Sequence, residues 1–149
     1  MSAKLSFRRE LRHPPSRVWR ALTNSAILAD WLFPNNFRAV EGENFTFKGP
    51  AQPHWDGTIT GTVLSAEEPT RLSLQWKANS IDGARPLETV VTFTLEPFGS
   101  GTILLLEQDG FLPDQIRNRS GAESGWPRLL NHLEVTLQRL EGDQACTQE

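Results

Sequence analysis

The sequence predicts an α+β domain: a curved antiparallel sheet of about six or seven strands wrapped around one long C-terminal helix, with two short helices after the first strand. Three observations carry this expectation. Residues 124 to 141 place Trp126, Leu129, Leu130, Leu133, Leu137 and Leu140 within an arc of about 100° on a 3.6-residue period, with Arg128, Asn131, His132, Val135 and Arg139 outside it. The middle of the chain is a succession of segments that alternate apolar and polar residues, joined by links of hairpin length. The helical signals are confined to a short stretch after the first strand and to the end. A helix face this apolar needs something broad to lie against, and the sheet is its expected cover.

The elements follow in order. Residues 3 to 12 put Leu5, Phe7 and Leu11 at one parity and Lys4, Ser6, Arg8, Glu10 and Arg12 at the other, which is the pattern of a half-buried strand. Arg9 falls on the inward parity, where it is either an internal ion pair or a polar group offered to a ligand. His13-Pro14-Pro15 ends the strand because proline cannot continue its ladder. Ser16 opens a short helix with Val18, Trp19 and Leu22 on one side, and Ser25 caps a second that ends near Trp31. Phe37 and Ala39 precede a turn at Glu41-Gly42, and Phe45 and Phe47 alternate with Asn44, Thr46 and Lys48. From Trp55 to about Glu67, Ile59, Gly61 and Val63 share a parity, and the inward glycine predicts close approach of another element, the last helix.

Leu72, Leu74 and Trp76 then face inward, a loop with Asp82-Gly83 at its tip follows, and Val91, Phe93 and Leu95 face inward on the next strand. Phe98-Gly99-Ser100-Gly101 turns the chain into a strand with Leu104, Leu106 and Gln108 on one face. Ile103 and Leu105 on its other face are covered by a loop, mark a self-association surface, or are scattered surface residues. Asp114 caps a short helical turn that Ser120-Gly121 loosens. The last helix has Ser124 as N-cap, Pro127 in its first turn and Gly142 as its stop.

The 149 residues suit one domain, expected over 1–142 with a polar tail over 143–149. The net charge of -3 provides no basic field for nucleic acid, and Lys4, Arg8, Arg9, Arg12, Arg17 and Arg20 read as a solvated face. The one cysteine, Cys146, leaves no internal disulfide. Apolar runs are too short for a membrane span, and the N-terminus does not resemble a signal peptide, so the expected location is cytoplasmic.

Five tryptophans and eight phenylalanines without a tyrosine are mostly placed on inward parity. Such rings either fill a core or line an apolar pocket between sheet and helix. The expected lining is Trp31, Phe37, Phe45, Phe47, Trp55, Trp76, Phe93, Phe111, Trp126, Leu130 and Leu133, while Leu137 and Leu140 are plain core. The polar candidates are Arg9 and Gln108, with His54 or Asp56 at a strand mouth. His13, His54 and His132 lack metal-ligand spacing, and no phosphate or dinucleotide fingerprint follows a strand, so neither metal nor cofactor is expected. No general acid or base is identifiable.

Arg9-Glu-Leu-Arg-His-Pro-Pro-Ser-Arg-Val-Trp-Arg-Ala-Leu-Thr23, Ile27-Leu-Ala-Asp-Trp31, Glu41-Gly-Glu-Asn-Phe45, Gly57 to Val63, Gly101-Thr102 to Gly110-Phe111 and Gly125-Trp126 together resemble the activator of Hsp90 ATPase homologue 1-like family. That family lies within the START/Bet v 1-like (SRPBCC) superfamily. The resemblance implies the helix-grip fold with a deep hydrophobic cavity. It also implies a choice of functions, because the superfamily holds lipid and hormone carriers, cyclases and aromatases, and co-chaperone domains. Many relatives carry a histidine where this chain has Gln108, and a glutamine orients a ligand without acting as a base. The leading expectation is a binding protein for a hydrophobic small molecule. A chaperone partner, a homodimer and a cyclase- or hydrolase-type enzyme stay open as alternatives.

Overall fold

The computed structural model describes the backbone of residues 3–51, 55–80 and 86–147, and the side chains of these except at 3, 55, 79, 80 and 142–147. Its elements are β1 (Ala3–Leu11), α1 (Pro15–Thr23), α2 (Ser25–Trp31), β2 (Asn44–Lys48), β3 (Trp55–Glu67), β4 (Arg71–Ser80), β5 (Leu87–Phe98), β6 (Gly101–Phe111) and α3 (Ile116–Thr147). The six strands form one antiparallel sheet in the order β1-β6-β5-β4-β3-β2. The long helix α3 packs on its concave face, and the two short helices follow β1. Among the described residues, no helix is long and apolar enough to cross a membrane.

Strand parity sorts the sheet as alternation requires. Leu72, Leu74, Trp76, Val91, Phe93, Leu95, Leu104 and Leu106 are all buried on the face toward α3, as are Ile59 and Val63. From α3 the same core receives Trp126, Leu130, Leu133 and Leu137, with Leu129 and Leu140 packed at its margin. Gly61 is inward too, but what approaches it is not the helix. A β-carbon there would overlap the Gln75 carbonyl oxygen and lie 2.7 Å from Phe45 Cζ. The glycine therefore lets β4 and the Phe45 ring close on β3 next to a break in register between Val63 and Ser65.

The helix ends differ from expectation. α3 starts at Ile116, runs through Ser120, Gly121 and Pro127 without interruption, and continues past Gly142 to Thr147. Tertiary anchors outweigh weak propensity here. Ala122 packs against both apolar clusters, and buried Gln115 holds the entrance. The Gln115 amide accepts from Leu112 N–H at 3.0 Å and donates to the Pro86 carbonyl at 3.1 Å, while its own backbone carbonyl accepts from Arg119 N–H. That is the capping position expected of Asp114. Pro127 has no N–H to give to the preceding turn, and its carbonyl is shared with Arg9 Nη2 at 3.2 Å.

At α2 the cap is Asn24, whose side chain accepts from Ile27 N–H at 3.1 Å. Ser25 instead donates to the carbonyl and side chain of Asn35. Asn35 in turn donates to the Ser25 and Phe33 carbonyls and accepts from Phe37 N–H, which turns Phe37 into the core. An ion pair between Arg139 and Asp30 ties α3 to α2.

Where β1, α1 and α3 meet, His13 is buried. Its Nδ1 faces Arg17 Nη1 at 3.4 Å and Glu141 Oε2 at 3.8 Å, and its carbonyl accepts from Thr102 Oγ1 at 2.7 Å. Burial pushes the imidazole below the ordinary value of 6.5, and the Arg17 charge adds to this against the opposing pull of Glu141 and Glu134. A neutral ring with a free Nδ1 lone pair accepts from Arg17. Because the folded state disfavours the proton, the contribution of neutral His13 is full above the unfolded value near 6.5 and is lost as pH falls below it. We expect the stability difference between the wild type and His13→Gln, followed by urea unfolding, to shrink or reverse from pH 7.5 to about pH 5. A difference independent of pH over that range contradicts the assignment.

Candidate functional site

The inner face of the sheet carries a chain of rings. Phe37, Phe45 and Phe47 pack on one another with centroids 5.3 to 6.1 Å apart. Phe47 meets Trp76 at 5.5 Å, Trp76 meets Trp126 at 5.6 Å, and Trp126 meets Phe93 edge-on at 6.2 Å. Trp126 comes from α3, so the chain crosses from sheet to helix. Beneath it lies a polar group. Gln108 stands on β6 between Leu5 of β1 and Val91 of β5 and is 1% exposed.

A hydrogen-bond relay passes through this residue. Trp126 Nε1 donates to Gln108 Oε1 at 2.7 Å, Gln108 Nε2 donates to Thr89 Oγ1 at 3.0 Å, and Thr89 Oγ1 donates to the Trp76 carbonyl at 3.1 Å. Its direction follows from chemistry, because an indole nitrogen only donates and so must face the amide oxygen. Each buried polar atom thereby gains a partner in an apolar surround. None of the side chains in the relay titrates near neutral pH, so the arrangement orients groups and does not shuttle protons.

A family model described as "Activator of Hsp90 ATPase homolog 1-like protein" matches residues 12–138. The chain belongs to this family. Among solved structures, protein MLL2253 from Mesorhizobium loti is 39% identical, with 92% of this chain and 98% of that one covered and a TM-score of 0.85. A Rhodobacter sphaeroides protein is 31% identical over 92% of this chain and 93% of that one, with a TM-score of 0.69. CalU16 from Micromonospora echinospora shares the fold at 24% identity, with 91% and 76% covered and a TM-score of 0.71. No curated protein matches the chain.

Within this Hsp90-activator-like fold the expected lining residues separate. Phe37, Phe45, Phe47, Trp76, Phe93, Gln108 and Trp126 come together, with Leu130 and Leu133 in the same core. Trp31 joins that core, but its indole N–H is bound to the Ala21 carbonyl between α1 and α2. Phe111 lies in a second cluster with Leu5 and Leu87, turned inward past Gly110, whose φ is 113°. Arg9 takes the ion-pair alternative: its guanidinium bonds Asn131 at 2.8 Å, Glu134 at 3.0 Å and the Pro127 carbonyl along the flank of α3. Asp56 is exposed and caps its own turn through Thr58 N–H, away from the rings. His54 and the Trp55 side chain lie outside the described residues.

The gathered rings, Gln108, Leu130 and Leu133 are each at most 5% exposed, so they pack almost wholly against other atoms of the protein. Clefts lie elsewhere among the described residues. One of about 390 Å³ is lined by Lys4, Val90, Thr92, Glu107, Asp109 and Gly110 on the outer face of the sheet. Another, about 350 Å³, is lined by Pro86, Glu88, Gly110, Leu112 and Gln115.

Thr89 is the member of the relay that sequence reasoning missed. Its signal was the parity it shares with Val91 and Phe93, since a threonine on that face must satisfy a hydroxyl. We expect Trp126→Phe to cost about 1–3 kcal/mol of stability, because it leaves the Gln108 oxygen without a donor. Combining it with Gln108→Leu should cost less than the sum of the two single changes, measured by denaturant unfolding.

Proposed function

We propose that the protein binds an apolar small molecule, lipid-like or aromatic, between the sheet and α3, with Gln108 holding its polar end. The observation that supports this reading most is the buried primary amide set in a core otherwise built of rings. An apolar site with one convergent polar group is the usual form of a small-molecule pocket, and this family's fold commonly binds hydrophobic ligands. In the free protein Trp126 occupies that place and its N–H satisfies the amide. A ligand hydroxyl takes over the same oxygen when Trp126 withdraws, and a ligand carbonyl accepts from the amide nitrogen instead.

The helix that carries Trp126 is built to give way. Gly121 and Gly125 have no neighbour within 4 Å of where a β-carbon would stand, so packing does not require glycine there. Each weakens the helix by about 1 kcal/mol relative to alanine, and Pro127 removes one more bond. Opening of this first part of α3 costs less than opening of the part that carries Leu130, Leu133 and Leu137.

A second reading has an observation in its favour. Because the rings and Gln108 are almost wholly buried, the surface is the other candidate for the working part, with an Hsp90-type ATPase as the partner that the family implies.

Two measurements separate these readings. A hydrophobic ligand present at 100 times its Kd should raise stability by about 2.7 kcal/mol, seen as a higher Tm, and Gln108→Leu should weaken the binding of ligands with a polar end. If no member of a broad panel of fatty acids, sterols and aromatic polyketides shifts the Tm, ligand binding is refuted. Addition of the protein to an Hsp90-type ATPase should change its turnover only under the second reading.

A further inference from the structure

The two edges of the sheet are finished differently. Along β2 the chain covers its own edge: Asn35 bridges to Phe47, Lys48 N–H bonds the Pro34 carbonyl, and Asn36 exchanges bonds with Thr46. β1 pairs with β6 on one side over nine residues, and on its other side it has no backbone partner among the described residues. A nine-residue edge of this kind is a template for another strand unless something opposes it.

The charges on β1 select one partner. Lys4, Ser6, Arg8 and Glu10 are exposed on the outer face, while Leu5, Phe7 and Arg9 face inward. Two copies paired antiparallel about a two-fold axis must keep each face with its like, which leaves only registers centred on a residue. Centring on Ser6 puts Lys4 opposite Arg8 of the second copy. A centre at Arg8 puts that arginine opposite itself and Lys4 opposite Arg12. Only a centre at Phe7 sets Lys4 opposite Glu10 twice, with Ser6 opposite Arg8, Phe7 opposite Phe7 and Leu5 opposite Arg9. In that register the Lys4 ammonium, which already holds Glu107 at 2.9 Å, stands between two carboxylates.

We propose that β1 is a self-association edge, through which a second copy of this chain pairs antiparallel about Phe7 and joins two six-stranded sheets into one of twelve. One pair of strands buries less than the 1,200 Å² or so of a standard interface, so the dimer is weak, with a Kd in the micromolar range or above. The same charges read as simple edge protection if the chain stays monomeric.

Sedimentation equilibrium of the full chain, from micromolar to about 1 mM, decides between them. The wild type should dimerise, and less so in about 1 M salt than in 0.05 M. Lys4→Glu places Glu opposite Glu10, and Glu10→Lys places Lys opposite Lys4, so each variant alone should associate about tenfold more weakly. Mixed together, the two variants restore both ion pairs and should form a heterodimer at wild-type strength. Melting curves check that each remains folded, and Glu10→Lys, on an exposed side chain, serves alone if Lys4→Glu does not. A wild type that is monomeric at every concentration overturns the proposal, as does a dimer indifferent to both reversals or variants that fail to associate on mixing.

Discussion

One donor governs the interior of this protein. The indole N–H of Trp126 is buried and can only donate, so it must meet an acceptor, and Gln108 Oε1 is the acceptor it meets. That bond agrees with the rotation of α3 that its apolar stripe sets. With Trp126 aimed at β6, Leu130, Leu133 and Leu137 follow on the same stripe into the core, while Asn131 and Glu134 fall on the flank where Arg9 grips them. The bond also fixes the orientation of the glutamine amide, which commits Thr89 and the Trp76 carbonyl to the rest of the relay.

The aromatic content follows from the same geometry. A sheet curved around one helix leaves a wide gap, and rings span it with few residues. Phe45 and Phe47 on short β2, Trp76 on β4 and Phe93 on β5 reach across to Trp126, and Asn35 brings in Phe37 from a loop. At Gly61 the chains approach too closely for any side chain, next to the register break between Val63 and Ser65.

Much of this was legible residue by residue. Two-residue alternation placed Leu72, Leu74, Trp76, Val91, Phe93, Leu104, Leu106 and Gln108 on the inner face, and the 3.6-residue period found the buried stripe of α3. Three kinds of feature escaped. The start of α3 depends on Gln115 reaching Pro86, a partner nearly thirty residues away, and no local signal announces such a bond. Asn24 and Ser25 are both good caps, and the choice between them rests on Asn35 competing for the serine. Arg9 on an inward parity was correctly an ion-pair candidate, but its partners sit more than a hundred residues later in the chain.

The sequence by itself determined the class of fold, the order of its elements and which face of each is buried. These depend on periodicity, and periodicity is a property of neighbours in the chain. How closely the rings pack was decided only by tertiary structure, as were the partners of Gln108 and the question of which sheet edge lacks a backbone partner among the described residues. Those outcomes turn on distances between strands and helix that vary by a few ångströms with no change in pattern. A gap of that size is the difference between a cavity and a core.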